Sequence, residues 1–258
     1  MPRFLLIVLF LAVLPGQSKG GTPGGYLVVV GGGKTNDAVM KRTLELAGGT
    51  QALVVILPQA SELADAGAKS AEMWRGFGAS NVVVASDLDE PSVREVLARA
   101  ALIWMPGGDQ KRLMKACEES GLSAIIRERY LAGIVVGGTS AGAAVMSALM
   151  ITGEADLQSI APQATTLSKG LGLWPEVIVD QHFLKRQRFN RLLAAVLDHP
   201  EKIGVGIDEE TAVIVAAEHW EVMGNSGVLV LDARDDSGKP PARNAKLHWL
   251  VPGMIWKP

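Results

Sequence analysis

Gly133-Ile134-Val135-Val136-Gly137-Gly138-Thr139-Ser140-Ala141-Gly142-Ala143-Ala144 is the stretch on which the chain turns. A short β-branched run reads as a buried strand, and small residues on both sides of one hydroxyl read as a tight strand-to-helix turn. Gly138-Thr139-Ser140-Ala141-Gly142 fits G-x-S-x-G, a pattern in which the turn lifts a serine above a sheet and the next backbone N–H can stabilise an oxyanion. Glycines flank the serine because neighbouring backbone passes too close for a Cβ. An ordinary Gly/Ala-rich turn of a packed α/β protein gives the same letters, so the rest of the chain has to decide.

Outward from this stretch the pattern is regular. Upstream lie the apolar runs Leu27-Val28-Val29-Val30, Leu53-Val54-Val55-Ile56-Leu57, Val82-Val83-Val84 and Leu102-Ile103-Trp104-Met105. Helical segments separate them, from Asp37 to about Ala47, from about Ser61 to Gly76, and from Glu90-Pro91-Ser92 onward; two more precede the elbow strand. Strands alternating with amphipathic helices predict a doubly wound, mostly parallel α/β sheet covered on both faces. Ligands bind such sheets at the carboxyl ends of the strands, so the loops at Gly31, Gly107 and Gly137 should gather on one edge. Gly31-Gly32-Gly33 lacks the spacing of either nucleotide-binding glycine motif.

Downstream, Thr152 to Gly172 reads as a polar, loop-rich insertion of the kind that walls a pocket. Val177-Ile178-Val179, a helix from about Leu184 to Leu197 and Gly204-Val205-Gly206-Ile207 restore the pattern, and the C-terminal segments alternate like antiparallel strands. No repeat or linker divides the chain, which points to one domain over 21–258.

The 258 residues are 48% hydrophobic, enough for one large core. Lys+Arg 25 against Asp+Glu 27, with no block of like charge, argues against nucleic acid or an anionic membrane surface as a partner. Met1-Pro2-Arg3 and the apolar run Phe4 to Leu14 have the anatomy of a secretory signal over residues 1–20, cleaved or retained as an anchor. The run is shorter than the roughly 20 apolar residues of a bilayer span. A secreted or periplasmic location is expected. One cysteine, Cys117, excludes an intrachain disulfide and any multi-cysteine metal site, and its helix suggests a packed thiol.

A nucleophilic serine needs a base, and the base an orienting carboxylate. Of four histidines, His199 ends a helix, and His219 and His248 read as surface residues. His182 follows Val177-Ile178-Val179-Asp180-Gln181, a strand running into a polar turn, and is the candidate base. Gly206-Ile207-Asp208-Glu209-Glu210-Thr211 offers three acids at another strand end; alternation sends Asp208 and Glu210 to one side and Glu209 to the other, without choosing between them. Arg188 and Arg191 share an expected helix face with Arg186 close by, which suggests recognition of a carboxylate by guanidinium forks, although a solvated basic face is the plainer reading of any one of them.

The ordered set Gly107-Gly108-Asp109-Gln110, Gly137 to Ala143, Asp180-Gln181-His182-Phe183 with the three arginines, and Gly206-Ile207-Asp208-Glu209 resembles the cyanophycinase family. These are serine peptidases related to the aspartyl (isoaspartyl) dipeptidases. The resemblance runs from about Tyr26 to the C-terminus. It implies a flavodoxin-like or class I glutamine-amidotransferase-like fold, with Ser140 as nucleophile, His182 as base and Glu209 as orienting carboxylate. It further implies an oxyanion hole from the N–H groups of Gly108 and Ala141. Gln110, Asp180, Gln181, Arg186, Arg188 and Arg191 match positions that line or support the substrate pocket. The implied substrate is a β-linked aspartyl-arginine chain cut to dipeptides, with no metal or cofactor, and a homodimer stays compatible. The first loop, Gly31 to Thr35, departs from the cytoplasmic members, and the leader suggests an exported enzyme. An isoaspartyl dipeptidase acting on short peptides, an esterase using the same elbow and a non-catalytic secreted binding protein are the rival readings.

Overall fold

The computed structural model describes residues 24–236 and 240–258; the expected leader, residues 1–20, lies outside them. In chain order the strands are β1 Tyr26–Val30, β2 Leu53–Ile56, β3 Asn81–Val84, β4 Leu102–Met105, β5 Val135–Thr139, β6 Leu149–Ala155 and β7 Thr165–Lys169. They continue as β8 Val177–Gln181, β9 Ile203–Ile207, β10 Thr211–Val215, β11 Trp220–Gly224, β12 Val228–Asp232, β13 Lys246–Leu250 and β14 Ile255–Trp256. The helices are α1 Asp37–Leu46, α2 Ala66–Gly76, α3 Pro91–Arg99, α4 Gln110–Glu119, α5 Leu122–Leu131, α6 Ala141–Ala144 and α7 Phe189–Asp198.

Eight strands form one sheet in the order β14-β11-β10-β1-β5-β4-β2-β3. The half from β1 to β3 is parallel and the half from β10 outward antiparallel. A second sheet, β13-β12-β9-β8, and a hairpin, β6-β7, complete it. The expected mixed α/β sheet is therefore present, but the C-terminal strands divide between two sheets.

Alternation on the parallel strands supplies both faces of the first sheet. Val28, Val30, Val54, Ile56, Leu102 and Trp104 pack with α1 and α2. Leu27, Val29, Val55, Ile103, Met105 and Val136 pack with α3, α4 and α5, and join Val177, Val179, Val205 and Val230 of the second sheet. The outer face of that sheet, with Ile178 and Leu229, is covered by Leu192 and Val196 of α7. Cys117 is fully buried in the main core, and burial pushes its thiol up to about 12, as befits a packing residue.

Three expectations change. The elbow strand does not stop at Val136: Gly137 and Gly138 pair in register with Val28 and Val29 on one side and with Trp104 and Met105 on the other. Gly137 belongs in the strand because Trp104, stacked edge-on against Trp74 at 5.1 Å, fills the place of its Cβ. The insertion from Thr152 to Gly172 holds most of a β-hairpin; Leu149, Ile151 and Leu167 pack it against Leu192 and Val196 of α7, and the Thr165 hydroxyl, which donates to Arg191 O at 2.7 Å, adds a polar tie. The helices expected from Ser61 and Leu184 begin only at Ala66 and Phe189. Arg191 alone of the three arginines is thus within α7, and Arg188 is its N-cap.

A Cβ on Gly142 would overlap the Met105 carbonyl, whereas Gly76, exposed at the end of α2, meets nothing. Gly142→Ala should lower Tm by about 3–10 °C, corresponding to about 1–3 kcal/mol of overpacking, while Gly76→Ala leaves Tm unchanged or higher; thermal melts of the two variants check this.

Candidate active site

Ser140 sits between β5 and α6 with φ 54 and ψ -111, a conformation that costs about 1–3 kcal/mol for a residue with a Cβ. The surroundings over-determine it. Its N–H donates to Val30 O at 3.0 Å, and its carbonyl accepts from the N–H groups of Ala143 and Ala144, both at 3.0 Å. Gly138 and Gly142 approach too closely for side chains: a Cβ on Gly138 would lie 2.6 Å from Gly142 backbone. The Ser140 hydroxyl is thereby held above the C-terminal edge of the sheet. The Ala141 N–H, at the first position of α6, has no acceptor among the described residues and is free for an oxyanion.

His182, at φ 49, follows the end of β8 in the second sheet, and its ring reaches across to the serine. Its Nδ1 lies 2.6 Å from Glu209 Oε1 and its Nε2 lies 3.0 Å from Ser140 Oγ. A carboxylate only accepts, so Nδ1 carries the proton and Nε2 is left to accept from the serine hydroxyl. Burial is the largest influence on the imidazole and lowers its pKa. Glu209 pulls the other way, and the charges of Arg186 and Arg188 add to the lowering. The net is a histidine held neutral, the form a general base needs.

The three acids separate as alternation allowed. Glu209 faces His182; Asp208 accepts from the N–H groups of Leu184 and Lys185 at 3.1 and 3.0 Å, and Glu210 accepts from Asn225 at 2.7 Å.

Gly31 to Gly33, a loop expected on this edge, lies directly against the His–Glu pair, a role that residue chemistry did not assign to it. Gly31 O accepts from His182 N at 2.6 Å, a Cβ on Gly32 (φ +112) would overlap the imidazole, and one on Gly33 would lie 3.1 Å from Glu209 Cβ. The glycine triplet is the floor beneath the His–Glu pair. A glycine run with no nucleotide register was the available signal.

Gly107 lies 3.4 Å from Ser140 by the same measure, and Gly108 adopts φ +145 with its α-carbon against the Ala60 carbonyl. Loops after β1, β4 and β5 thus meet on one edge, as expected. Beside Gly108, Ser61 joins Pro58, Gln59, Val84 and Ser86 around a cleft of about 360 Å³. Gln110, buried, donates from Nε2 to Ile151 O at 2.9 Å, joining α4 to β6.

The arginines divide. Arg191 is 2% exposed and forks onto Asp180, itself 0% exposed, with Nε–Oδ2 at 2.7 Å and a second bond from Nη2 to Oδ1. Its carboxylate partner is therefore internal, and the pair pins α7 to β8. Arg188 donates to the Gln181 carbonyl at 2.6 Å and to Gln181 Oε1 at 2.7 Å. Burial, then the neighbouring Arg191, brings its pKa down to about 10, so it remains charged at neutral pH. Arg186 is exposed beside His182. Of the other histidines, His199 caps α7 as expected, whereas His219 and His248 are half-buried, His248 against the Trp256 ring at 5.6 Å.

A strained serine, bonded to a neutral histidine that a carboxylate orients, on the edge of a parallel α/β sheet, is the equipment of a serine-type hydrolase. Comparison with known proteins makes the class specific. Residues 27–223 match the model of peptidase family S51. A cyanophycinase of Geminocystis herdmanii is 37% identical over 248 residues, covering 88% of this chain and 91% of its own. One of Trichormus variabilis is 34% identical over 217 residues, 80% of this chain and 73% of its own. The crystal structure of a peptidase from an acI-B1 Actinobacterium superposes with a TM-score of 0.68 at 24% identity, covering 92% of this chain and 98% of that one, and so shares the fold. The chain belongs to peptidase family S51 and is a serine peptidase.

Arg186→Gln removes a positive charge that holds the imidazole down, so the His182 pKa should rise toward 6.5, read as its NMR titration midpoint. Arg191→Met leaves Asp180 buried without its partner and should destabilise the chain by about 3–5 kcal/mol in denaturant melts, as expected for breaking a buried ion pair.

Proposed function

We propose that the chain is a serine-type exopeptidase that hydrolyses the β-aspartyl-arginine linkages of cyanophycin, releasing dipeptides through Ser140, His182 and Glu209. The observation that carries the chemistry is the unbroken chain from Ser140 Oγ to His182 Nε2 at 3.0 Å and from Nδ1 to Glu209 at 2.6 Å. The substrate reading rests on the cyanophycinases to which this chain is similar over most of its length.

In this mechanism His182 Nε2 takes the Ser140 proton as Oγ attacks the carbonyl carbon of the β-amide. The Nδ1–Glu209 bond keeps the tautomer and stabilises the imidazolium that forms. The N–H groups of Gly108 and Ala141 receive the oxyanion, each donor being worth about 3 kcal/mol in such sites. His182 then protonates the leaving amine, the acyl-enzyme forms on Ser140, and water activated by the same imidazole releases the acid. Arg186, exposed beside His182, and Arg188, charged and only partly saturated by Gln181, are the guanidinium groups available to a substrate carboxylate. The apolar N-terminal run supports export, and with it a substrate met outside the cytoplasm.

Incubating residues from about Gly20 onward with purified cyanophycin should release β-Asp-Arg, and Ser140→Ala should lower turnover by about 10⁶-fold, the loss typical of a triad serine. Cleavage of short isoaspartyl peptides without release from the polymer would retain the triad and discard the polymer as substrate. Equal activity in Ser140→Ala would discard the nucleophile.

A further inference from the structure

Glu209 sits between two other acids, and nothing in their chemistry makes it the one that serves His182. The choice is made by a turn that contributes no group to the reaction. Asn225 and Ser226 lie between β11 and β12. Asn225 Nδ2 donates to Glu210 Oε2 at 2.7 Å, and its own N–H donates to Glu210 O at 3.0 Å. Ser226 Oγ donates to Asp208 Oδ2 at 2.9 Å, while its N–H donates to Thr211 Oγ1 at 2.9 Å. The turn is seated directly on the acids: Gly224, at φ +126, would place a Cβ against the Glu210 carbonyl.

Each flanking carboxylate is thereby engaged by the turn. The other oxygen of Asp208 already accepts from Leu184 and Lys185, the residues that follow the His182 turn. Ser226 and Asp208 therefore tie the base-bearing turn to the acid-bearing turn. Asn225 is in turn gripped from the far side: Asn36 Nδ2 donates to Asn225 Oδ1 at 2.8 Å, while Asn36 Oδ1 caps α1 by accepting from Ala38 N at 2.8 Å. Glu210 is held at φ 57, outside the range a free glutamate prefers, and that kink aims the preceding side chain at the imidazole.

We propose that Asn225 and Ser226 are positioning residues for the reaction, which select Glu209 from three adjacent acids and fix its distance to His182. The inference rests on the reading of Ser140, His182 and Glu209 as the reacting set. Besides Glu209, the charged groups facing His182 are Arg186 and Arg188 on its own turn, and the Gly31 to Gly33 floor contributes none.

The test uses Asn225→Ala and Ser226→Ala, with Asn36→Ser as a milder variant that keeps a helix cap and removes only the grip on Asn225. Glu209 raises the His182 pKa, so loosening it should move the NMR titration of His182 to lower pH. Turnover of a β-aspartyl peptide should fall up to about 10²-fold with KM little changed, the effect of displacing a reacting group by about 1 Å. Both effects should vanish in a Glu209→Gln background, and Ser226→Thr, which keeps the hydroxyl, should restore the wild-type values. An unmoved His182 titration overturns the proposal whatever happens to Tm, as does a shift that persists undiminished without Glu209. The titration needs no substrate, so it stands apart from a failure to cleave β-aspartyl peptides, which would instead count against the proposed function.

Discussion

The structure depends on the backbone of Ser140. A residue with a Cβ is held at φ 54 because β5 must turn into α6 within one residue while Gly142 packs against the Met105 carbonyl. That conformation is unfavourable for a free chain and persists only because Val30, Ala143 and Ala144 hydrogen-bond around it. The same steric economy raises the hydroxyl off the sheet and leaves the Ala141 N–H without an acceptor among the described residues. His182, Gln187 and Glu210 also have positive φ, so strain gathers around the site and the deep core strands absorb its cost.

Around the serine, electrostatics are balanced rather than maximised. Burial holds the His182 ring neutral and Glu209 works against it; the charges of Arg186 and Arg188 add to the effect of burial. Asp180 and Arg191 do a different job. Fully buried and forked onto each other, they lock α7 to β8, and through the segment between those elements they set where His182, Arg186 and Arg188 stand. A charge pair this deep is expensive to desolvate, so its worth lies in specifying geometry as much as in stability.

Glycine serves the site in two ways. In β5 it admits the Trp104 ring and the crowded elbow; in Gly31 to Gly33 it lets backbone lie flat beneath the imidazole. Both uses follow from the absence of a Cβ, yet only the first carries a recognisable spacing.

Short-range physics made much of this legible in the sequence. Apolar runs between amphipathic helices are enough to specify the parallel sheet, though not where β5 ends, and G-x-S-x-G offers a candidate elbow that the rest of the chain supports, because both patterns depend on neighbours within a few residues. The choice of His182 followed from its place after Val177-Ile178-Val179. What distance in sequence hid was decided by tertiary structure. Alternation could separate Glu209 from Asp208 and Glu210 but could not say which side met the histidine, since the β11–β12 turn that engages the other two lies some distance along the chain. The hairpin β6-β7 carries only a few apolar residues, Leu149, Ile151 and Leu167, among polar ones, and only the fold shows that they pack on α7. Arg191 carried the same letter as Arg186 and Arg188, and only the fold brought Asp180 to it and took it out of the solvent. Residue type and spacing determine what a segment can become; which of several equivalent side chains does the work is set by the partner that packing delivers.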